Sequence, residues 1–502
     1  MVRGDRAELV DAVEPAAWEQ AWTGGRRCVH LGNVADFNAQ FLDPGLFASP
    51  LLPGSPLPGS PLPGSLLSGL RTASGALRRW AGSPNGRQVL LDWPGQGHQY
   101  AALTPFYSPH PAVVVLPRHL EPAWLDVLTR QLEWDPVEVH SGIAEQAWFW
   151  PALTARPALL GRLRERGLPL VPWGRSPGEA LSEGQGGAEV SALVRRFESK
   201  RAALELFRAT AADAHPEVPV RRARWLDTPR ALTRAIGRAA ARGETVVLKA
   251  EYGVAGLGTA VVTPGQVAAA GGARALLDAL MAQDPLIRDR GGMLLEPYVT
   301  GAARLRDLTF DAVVAPDGHV HPVGVAVMHV AGTGYQGATV GPGLVPAELA
   351  ERATRFGLDV GRRLAGLGYR GWYDIDFVAG PDGTLAPMET NLRLTGPAIA
   401  FMIKARLDHV RGPGHVVRIL DELPLGARLA QEHLFDHLAR LARRCERHGA
   451  LLLPTLPDTA FDPVPSVGVA IAARSRAVVD TAEALVRAAN ADLGRLFTGL
   501  SH

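Results

Sequence analysis

Trp372-Tyr373-Asp374-Ile375-Asp376-Phe377-Val378 and Leu385-Ala386-Pro387-Met388-Glu389-Thr390-Asn391-Leu392-Arg393 flank the turn Pro381-Asp382-Gly383. The turn between two apolar-rich runs predicts an antiparallel strand pair over 371–390. Residues two apart in a strand share a face, so Glu389, Asn391 and Arg393 project together, and Asp376 can come opposite them. Two carboxylates and an amide oxygen are hard ligands of the kind Mg²⁺ prefers, with a nucleotide supplying the remaining positions. Arg393 would then stabilise negative charge developing on a transferred phosphoryl group. A solvent-exposed strand face with scattered charges fits the same residues.

Upstream, lysine is nearly absent. Only Lys200, Lys249 and Lys404 occur, against forty-nine arginines. Arg is a planar fork, whereas Lys is a compact point charge that reaches into a crowded phosphate site. Lys249 ends the apolar run Thr245-Val246-Val247-Leu248 and precedes Glu251-Tyr252-Gly253-Val254-Ala255-Gly256-Leu257-Gly258-Thr259, then Ala260-Val261-Val262. This spells strand, glycine-rich turn, strand. Glycines permit positive φ, so the turn's N–H groups could face an anion that Lys249 neutralises. An ordinary hairpin with its lysine in water is the alternative. No Gly-Lys-Ser/Thr follows, so the loop is not a Walker A motif.

A third element is Gly291-Gly-Met-Leu-Leu-Glu296-Pro297-Tyr298-Val299, an apolar strand ending in an acid, followed by Arg306-Asp307-Leu-Thr-Phe-Asp311. An adenine can pair with such backbone through the Pro297 C=O and the Val299 N–H, so the missing N–H of Pro297 costs nothing. Asp307 would then accept from ribose hydroxyls, or else is an edge-strand charge that discourages aggregation.

The length of 502 residues implies two to four domains at roughly 100–200 residues each, and 47% apolar content is ample for buried cores. A formal charge of +2, with arginines interspersed among acids, argues against nucleic acid or an anionic membrane as partner. Arg440, Arg443, Arg444 and Arg447 suit a solvated helix face. Cys28 and Cys445 match no metal or redox spacing, and a reducing cytoplasm is expected. The first residues lack the apolar core of a signal peptide, and no run of roughly 18 apolar residues is present to span a bilayer.

Residues 50–66 repeat Leu-Pro-Gly-Ser, which forbids regular helix or central strand and predicts a flexible insert. Around it, Cys28-Val-His-Leu, Gln88-Val-Leu-Leu and Ala112-Val-Val-Val-Leu alternate with helical stretches such as 122–132. That alternation predicts an α/β domain with a parallel sheet over 1–187, closed by the Gly/Ser/Glu-rich segment through Gly187. Helix is expected over 188–207, mostly strand over 243–330, and helix over 346–366. After 425 come a helix at 427–447, a strand at 467–472 and a helix at 481–493, a small α/β cap.

Lys200 in a helix, Lys249 before its hairpin, Glu296-Pro-Tyr-Val and the Asp376/Glu389/Asn391/Arg393 set resemble, in order and spacing, the ATP-grasp superfamily. The Glu-x-Asn-x-Arg run is similar to that family's magnesium signature, and the resemblance covers about 188–425. It implies α+β subdomains clamping ATP. Lys200 would meet the α-phosphate and Lys249 would bridge α and β. Gly256 and Gly258 would cover β and γ; Glu296, Pro297, Val299 and Asp307 would hold the adenosine; Asp376, Glu389 and Asn391 would hold Mg²⁺. The implied reaction activates a carboxylate as an acyl phosphate, which an amine attacks, with Lys249 and Arg393 as the catalytic cations. Two positions depart from the pattern: Asp307 stands where Glu is commoner, and Asp374 where many ligases place Arg.

The N-terminal domain, with its Leu31-Gly32-Asn33 turn, and the cap over 426–502 resemble the narrower group of peptide ligases with a "pre-ATP-grasp" domain, of the pheganomycin type. That resemblance implies a small amino-acid-like carboxylate and an amine or peptide acceptor as partners, in natural-product biosynthesis. A homodimer is a possible assembly. An ATP-grasp kinase and a catalytically silent nucleotide-binding protein are the alternatives.

Gly332-Thr-Gly-Tyr-Gln-Gly337 matches a dinucleotide fingerprint, but Thr339-Val-Gly-Pro-Gly after it cannot open a helix, so 331–343 is expected to be a flexible loop near the acceptor. His319, His321 and His329 lack a fourth partner at metal spacing. Lys404 either contacts a substrate carboxylate or is a plain surface lysine.

Overall fold

The computed structural model describes residues 16–41, 97–145, 147–179, 185–211, 214–253, 258–288, 292–302, 305–461 and 465–499. The insert at 50–66, the strand expected at 88–91 and Gly256 lie outside the described residues. Four short strands begin the fold: β1 (Cys28–Leu31), β2 (Pro111–Val115), β3 (Glu138–His140) and β4 (Leu170–Pro172). They pair in parallel in the order β3-β2-β1-β4. Every residue of β1 and β2 is buried, as parallel strands covered on both faces require. The helix Pro122–Gln131 buries Trp124, Leu125 and Leu128, and the Trp124 indole N–H donates to Pro454 O at 2.9 Å.

A second sheet comprises β5 (Arg224–Leu226), β6 (Val246–Lys249), β7 (Thr259–Val262) and β8 (Met293–Pro297), antiparallel throughout in the order β5-β8-β6-β7. The helices Pro229–Ala241 and Ala273–Gln283 give it a core of its own, including Leu232, Ile236, Leu248, Leu277 and Leu295. The expectation of mostly strand over 243–330 is thus corrected, since 264–288 holds three helices. The first is set by a capping box. Thr263 Oγ1 accepts from Gln266 N at 3.2 Å, and the Gln266 side chain accepts from Thr263 N at 2.8 Å.

The third sheet contains β9 (Asp307–Val314), β10 (Val320–Ala331), β11 (Gly334–Val340), β12 (Gly371–Ala379), β13 (Leu385–Asn391), β14 (Val416–Pro424), β15 (Leu451–Leu456) and β16 (Ser466–Ala473). Its order is β13-β12-β9-β10-β11-β14-β16-β15, antiparallel throughout. The helix Ala347–Gly366 lies on it so closely that a Cβ at Gly357 would overlap the Phe310 ring, and one at Gly361 the Tyr373 hydroxyl. Tyr373 instead donates to Gly357 O at 2.8 Å. The C-terminal strands β15 and β16 extend this sheet and share its core, which also takes in the N-terminal aromatics Trp18, Phe37 and Phe106.

The expected fold class, an α/β domain joined to α+β units, is what the chain adopts. Two local expectations change. The helix expected over 188–207 is two, Gln185–Phe197 and Lys200–Ala211. Ser199 caps the second, its Oγ accepting from Ala202 N at 3.3 Å while donating to Glu251 Oε1 at 2.9 Å, so Lys200 begins a helix. The segment 331–343 is a hairpin turn and β11 rather than a flexible loop, because its backbone pairs with β10 and β14 on both sides. Among the described residues no helix is long and apolar enough to cross a membrane.

Candidate functional site

A cavity of about 470 Å³ opens between the second and third sheets, with Val34, Asn38, Tyr100 and Trp173 of the N-terminal domain in its wall. Strand register builds its acidic wall. Asp311 stands opposite Asp374, and Asp374 opposite Asn391; Thr309 stands opposite Asp376, and Asp376 opposite Glu389. These six side chains therefore share one face of β9, β12 and β13, of which Asp374, Asp376, Glu389 and Asn391 line the cavity and Thr309 and Asp311 lie buried beside them. Asn391 Nδ2 donates to Asp374 Oδ1 at 2.7 Å and to Asp376 Oδ2 at 3.4 Å. Thr395 donates to Asp374 Oδ2 at 2.6 Å, and the Trp372 indole N–H to Asp311 Oδ1 at 3.0 Å. Burial, joined by repulsion among them, pushes Asp311, Asp374 and Asp376 well above the usual carboxylate range.

Cations line the facing wall. Lys200 Nζ lies 2.8 Å from Glu389 Oε2, and Lys249 Nζ lies 2.9 Å from Glu296 Oε1, which Arg221 also contacts. Burial alone would raise Glu389, but Lys200, Lys249 and Arg393 overturn that and hold it at about 2. Lys249 and Arg221 likewise keep Glu296 ionised against its burial. Arg393 Nη2 donates to Asn391 Oδ1 at 3.0 Å. At the other end lie Pro297, Tyr298, Val299 and Asp307, with Arg306 Nη1 donating to both Asp307 oxygens at 2.7 and 3.0 Å.

Ten of the residues singled out from sequence thus line one cavity: Lys200, Lys249, Glu296, Pro297, Val299, Asp307, Asp376, Glu389, Asn391 and Arg393. Gly258 lies beside it at φ +77°, its N–H committed to Asp284 Oδ2 at 2.7 Å. Lys404 is elsewhere, paired with Asp408, to which His415 Nδ1 also bonds at 2.7 Å. His319 pairs with Asp317 and His329 with Thr339. The sequence reading missed Arg221, Arg306, Tyr100 and Tyr335 as wall residues. Asp311 was visible as the continuation of the alternating face Asp307, Thr309, Asp311; the others carry no local signal.

The donor set suits magnesium. Asp376 and Glu389 are opposed carboxylates in a buried wall, where repulsion calls for a cation, and Asn391 adds an amide oxygen. Among the described residues no group of three His, Cys, Asp or Glu side chains could hold a metal by itself, so nucleotide oxygens would be needed to complete the shell.

No protein-family model and no curated protein matches this chain. Among solved structures it is similar to an ADP complex of N5-carboxyaminoimidazole ribonucleotide synthetase, at 15% identity over 74% of this chain and 89% of that one, TM-score 0.47. It is similar to the Aspergillus clavatus N5-carboxyaminoimidazole synthase bound to ADP and 5-aminoimidazole ribonucleotide, at 13% identity over 72% and 84%, TM-score 0.44. It is also similar to a Campylobacter jejuni biotin carboxylase complex, at 14% identity over 75% and 84%, TM-score 0.44. These TM-scores mark partial likenesses, and the chemistry of the site rests on its own residues.

Proposed function

We propose that the chain is an ATP-dependent carboxylate-amine ligase that forms an amide through an acyl phosphate. The observation that carries this reading is the convergence of Lys200, Lys249 and Arg393 with the opposed Asp376 and Glu389 in one cavity. The Pro297 C=O and Val299 N–H receive adenine, Asp307 the ribose, and Lys200 and Lys249 the polyphosphate. Asp376, Glu389 and Asn391 would hold magnesium, which when bound would neutralise phosphate charge. The substrate carboxylate attacks the γ-phosphorus and ADP leaves. The amine then attacks the carbonyl carbon and phosphate leaves. Arg393 stabilises the charge that builds in both steps, and Glu296 with Arg221 fixes Lys249. The protein positions groups and neutralises charge without a covalent adduct.

Within this reading the acid is an amino acid or nonproteinogenic amino acid and the amine a peptide N-terminus, in natural-product biosynthesis. The resemblance of the N-terminal α/β domain and C-terminal region to the pheganomycin-type ligases supports that choice. Cys28 and Cys445, both buried free thiols, suit a reducing cytoplasm. The test is ADP release with Mg-ATP across amino acids and short peptides, singly and in pairs. Turnover only with acid and amine together, giving a product one water lighter than their sum, supports the ligase. A phosphorylated product from a single hydroxylated compound would replace it with the kinase.

A further inference from the structure

Tyr100 and Tyr335 line the cavity, and behind them lies Asp421 of β14, a carboxylate outside the acidic wall. The Tyr100 hydroxyl donates to Asp421 Oδ2 at 2.6 Å. Asp421 is 1% exposed, and its Oδ1 has no partner among the described residues. The hydroxyl of Tyr335 is buried and likewise unpartnered there, seated over Gly396, where a Cβ would overlap it. β11 and β14 pair directly, with Gly337 opposite Leu420, so the strand carrying Tyr335 adjoins the one carrying Asp421.

The chemistry of this corner differs from the rest of the cavity. Lys200, Lys249, Arg221, Arg306 and Arg393 prepare the facing wall for anions, and the acidic wall of Asp374, Asp376 and Glu389 suits a metal ion. Here a buried carboxylate has claimed the only proton of Tyr100, a residue of the cavity wall, so its phenol oxygen can only accept from a further partner. An incoming N–H donor is the complement, and a cationic one gains from the negative charge directly behind the phenol. Tyr100 and Arg393 line the same cavity.

We propose that Tyr100, backed by Asp421 and flanked by Tyr335, is a subsite for a primary ammonium group, the amine that the ligation consumes. The assignment deepens the ligase reading and rests on it for the fate of the amine, but the binding can be measured alone. Full-length protein is titrated with glycinamide and diglycinamide, with acetamide as the uncharged control that lacks the amino group. Tryptophan fluorescence reports, since Trp173 is in the cavity wall. Saturable binding of an amine and none of acetamide is expected, weakened at least tenfold in Asp421→Asn and in Tyr100→Phe, with ADP affinity unchanged. The stronger of the two amines separates a single residue from a peptide. Equal affinities for amine and acetamide, no saturation by either amine, or no loss in both variants would overturn the subsite. Saturable amine binding without acid-dependent ADP release would instead overturn the ligase while leaving the subsite standing. Circular dichroism of each variant checks the fold, and Tyr100→Phe retains the test should Asp421→Asn misfold.

Discussion

The ammonium of Lys200 lies 2.8 Å from the carboxylate of Glu389, whose Cα partner across the hairpin is Asp376. A cation from the helix Lys200–Ala211 therefore meets an acid of β13, on which that helix packs, at the point where strand register concentrates negative charge. On the proposed ligase reading, nucleotide would redistribute these partners: phosphate would compete for Lys200, and magnesium for Glu389.

Glu389→Ala should abolish turnover, with a fall of at least ~100-fold in ADP release, because it removes a carboxylate from the metal set. The fold should survive, since relief of repulsion on Asp376 offsets the loss of the 2.8 Å partner of Lys200. A retained rate would remove Glu389 from the metal assignment.

Glu296 serves two buried cations, Lys249 and Arg221. Glu296→Gln leaves both without a carboxylate, although Arg221 keeps its bond to Pro387 O at 2.9 Å, and should cost about 3–5 kcal/mol in urea denaturation. Lys249→Met should cost less, because Arg221 still neutralises Glu296, yet it should lose most ATP affinity. If Lys249→Met proved the more destabilising, the shared role of Glu296 would be wrong.

Gly361→Ala should destabilise by about 1–3 kcal/mol through overlap with the Tyr373 hydroxyl. Tyr373→Phe removes that hydroxyl along with its bond to Gly357 O. The double variant should recover part of the glycine penalty, giving a non-additive cycle. Strict additivity would mean that the contact is not the cause.

His30 is fully buried, with Nδ1 donating to Thr104 O at 3.0 Å and Nε2 accepting from Ser108 Oγ at 2.8 Å. Burial pulls its pKa down to about 3. Between pH 6.5 and 3 the unfolded chain binds a proton that the folded chain does not, so stability falls as pH falls. From pH 7 to 5 this one group removes about 2 kcal/mol. His30→Asn, which does not titrate, should lose about 2 kcal/mol less over that interval in paired denaturation curves. Identical pH slopes for the two proteins would rule out the buried neutral histidine.

The hairpin around Pro381-Asp382-Gly383 was legible because its turn and alternation are local, and with it came the placement of Asp376, Glu389 and Asn391. Residues 264–288 were misread, although Thr263 and Gln266 carry a capping box, because the glycines at 265, 271 and 272 obscure the helical period. Tyr100 and Asp421 lie 321 positions apart and meet only through tertiary packing. No periodicity could have joined them.

The unit carrying β5 to β8 is packed around its own apolar centre, while the acidic wall belongs to the other, continuous one. The nucleotide would be mortar between two bodies with separate cores, joined by the smaller apolar cluster of Leu204, Ala223 and Leu294. Its binding energy then contributes to cohesion, so heat resistance should rise with its concentration by mass action. Spent product leaving the cleft would loosen the joint that the next ATP has to remake.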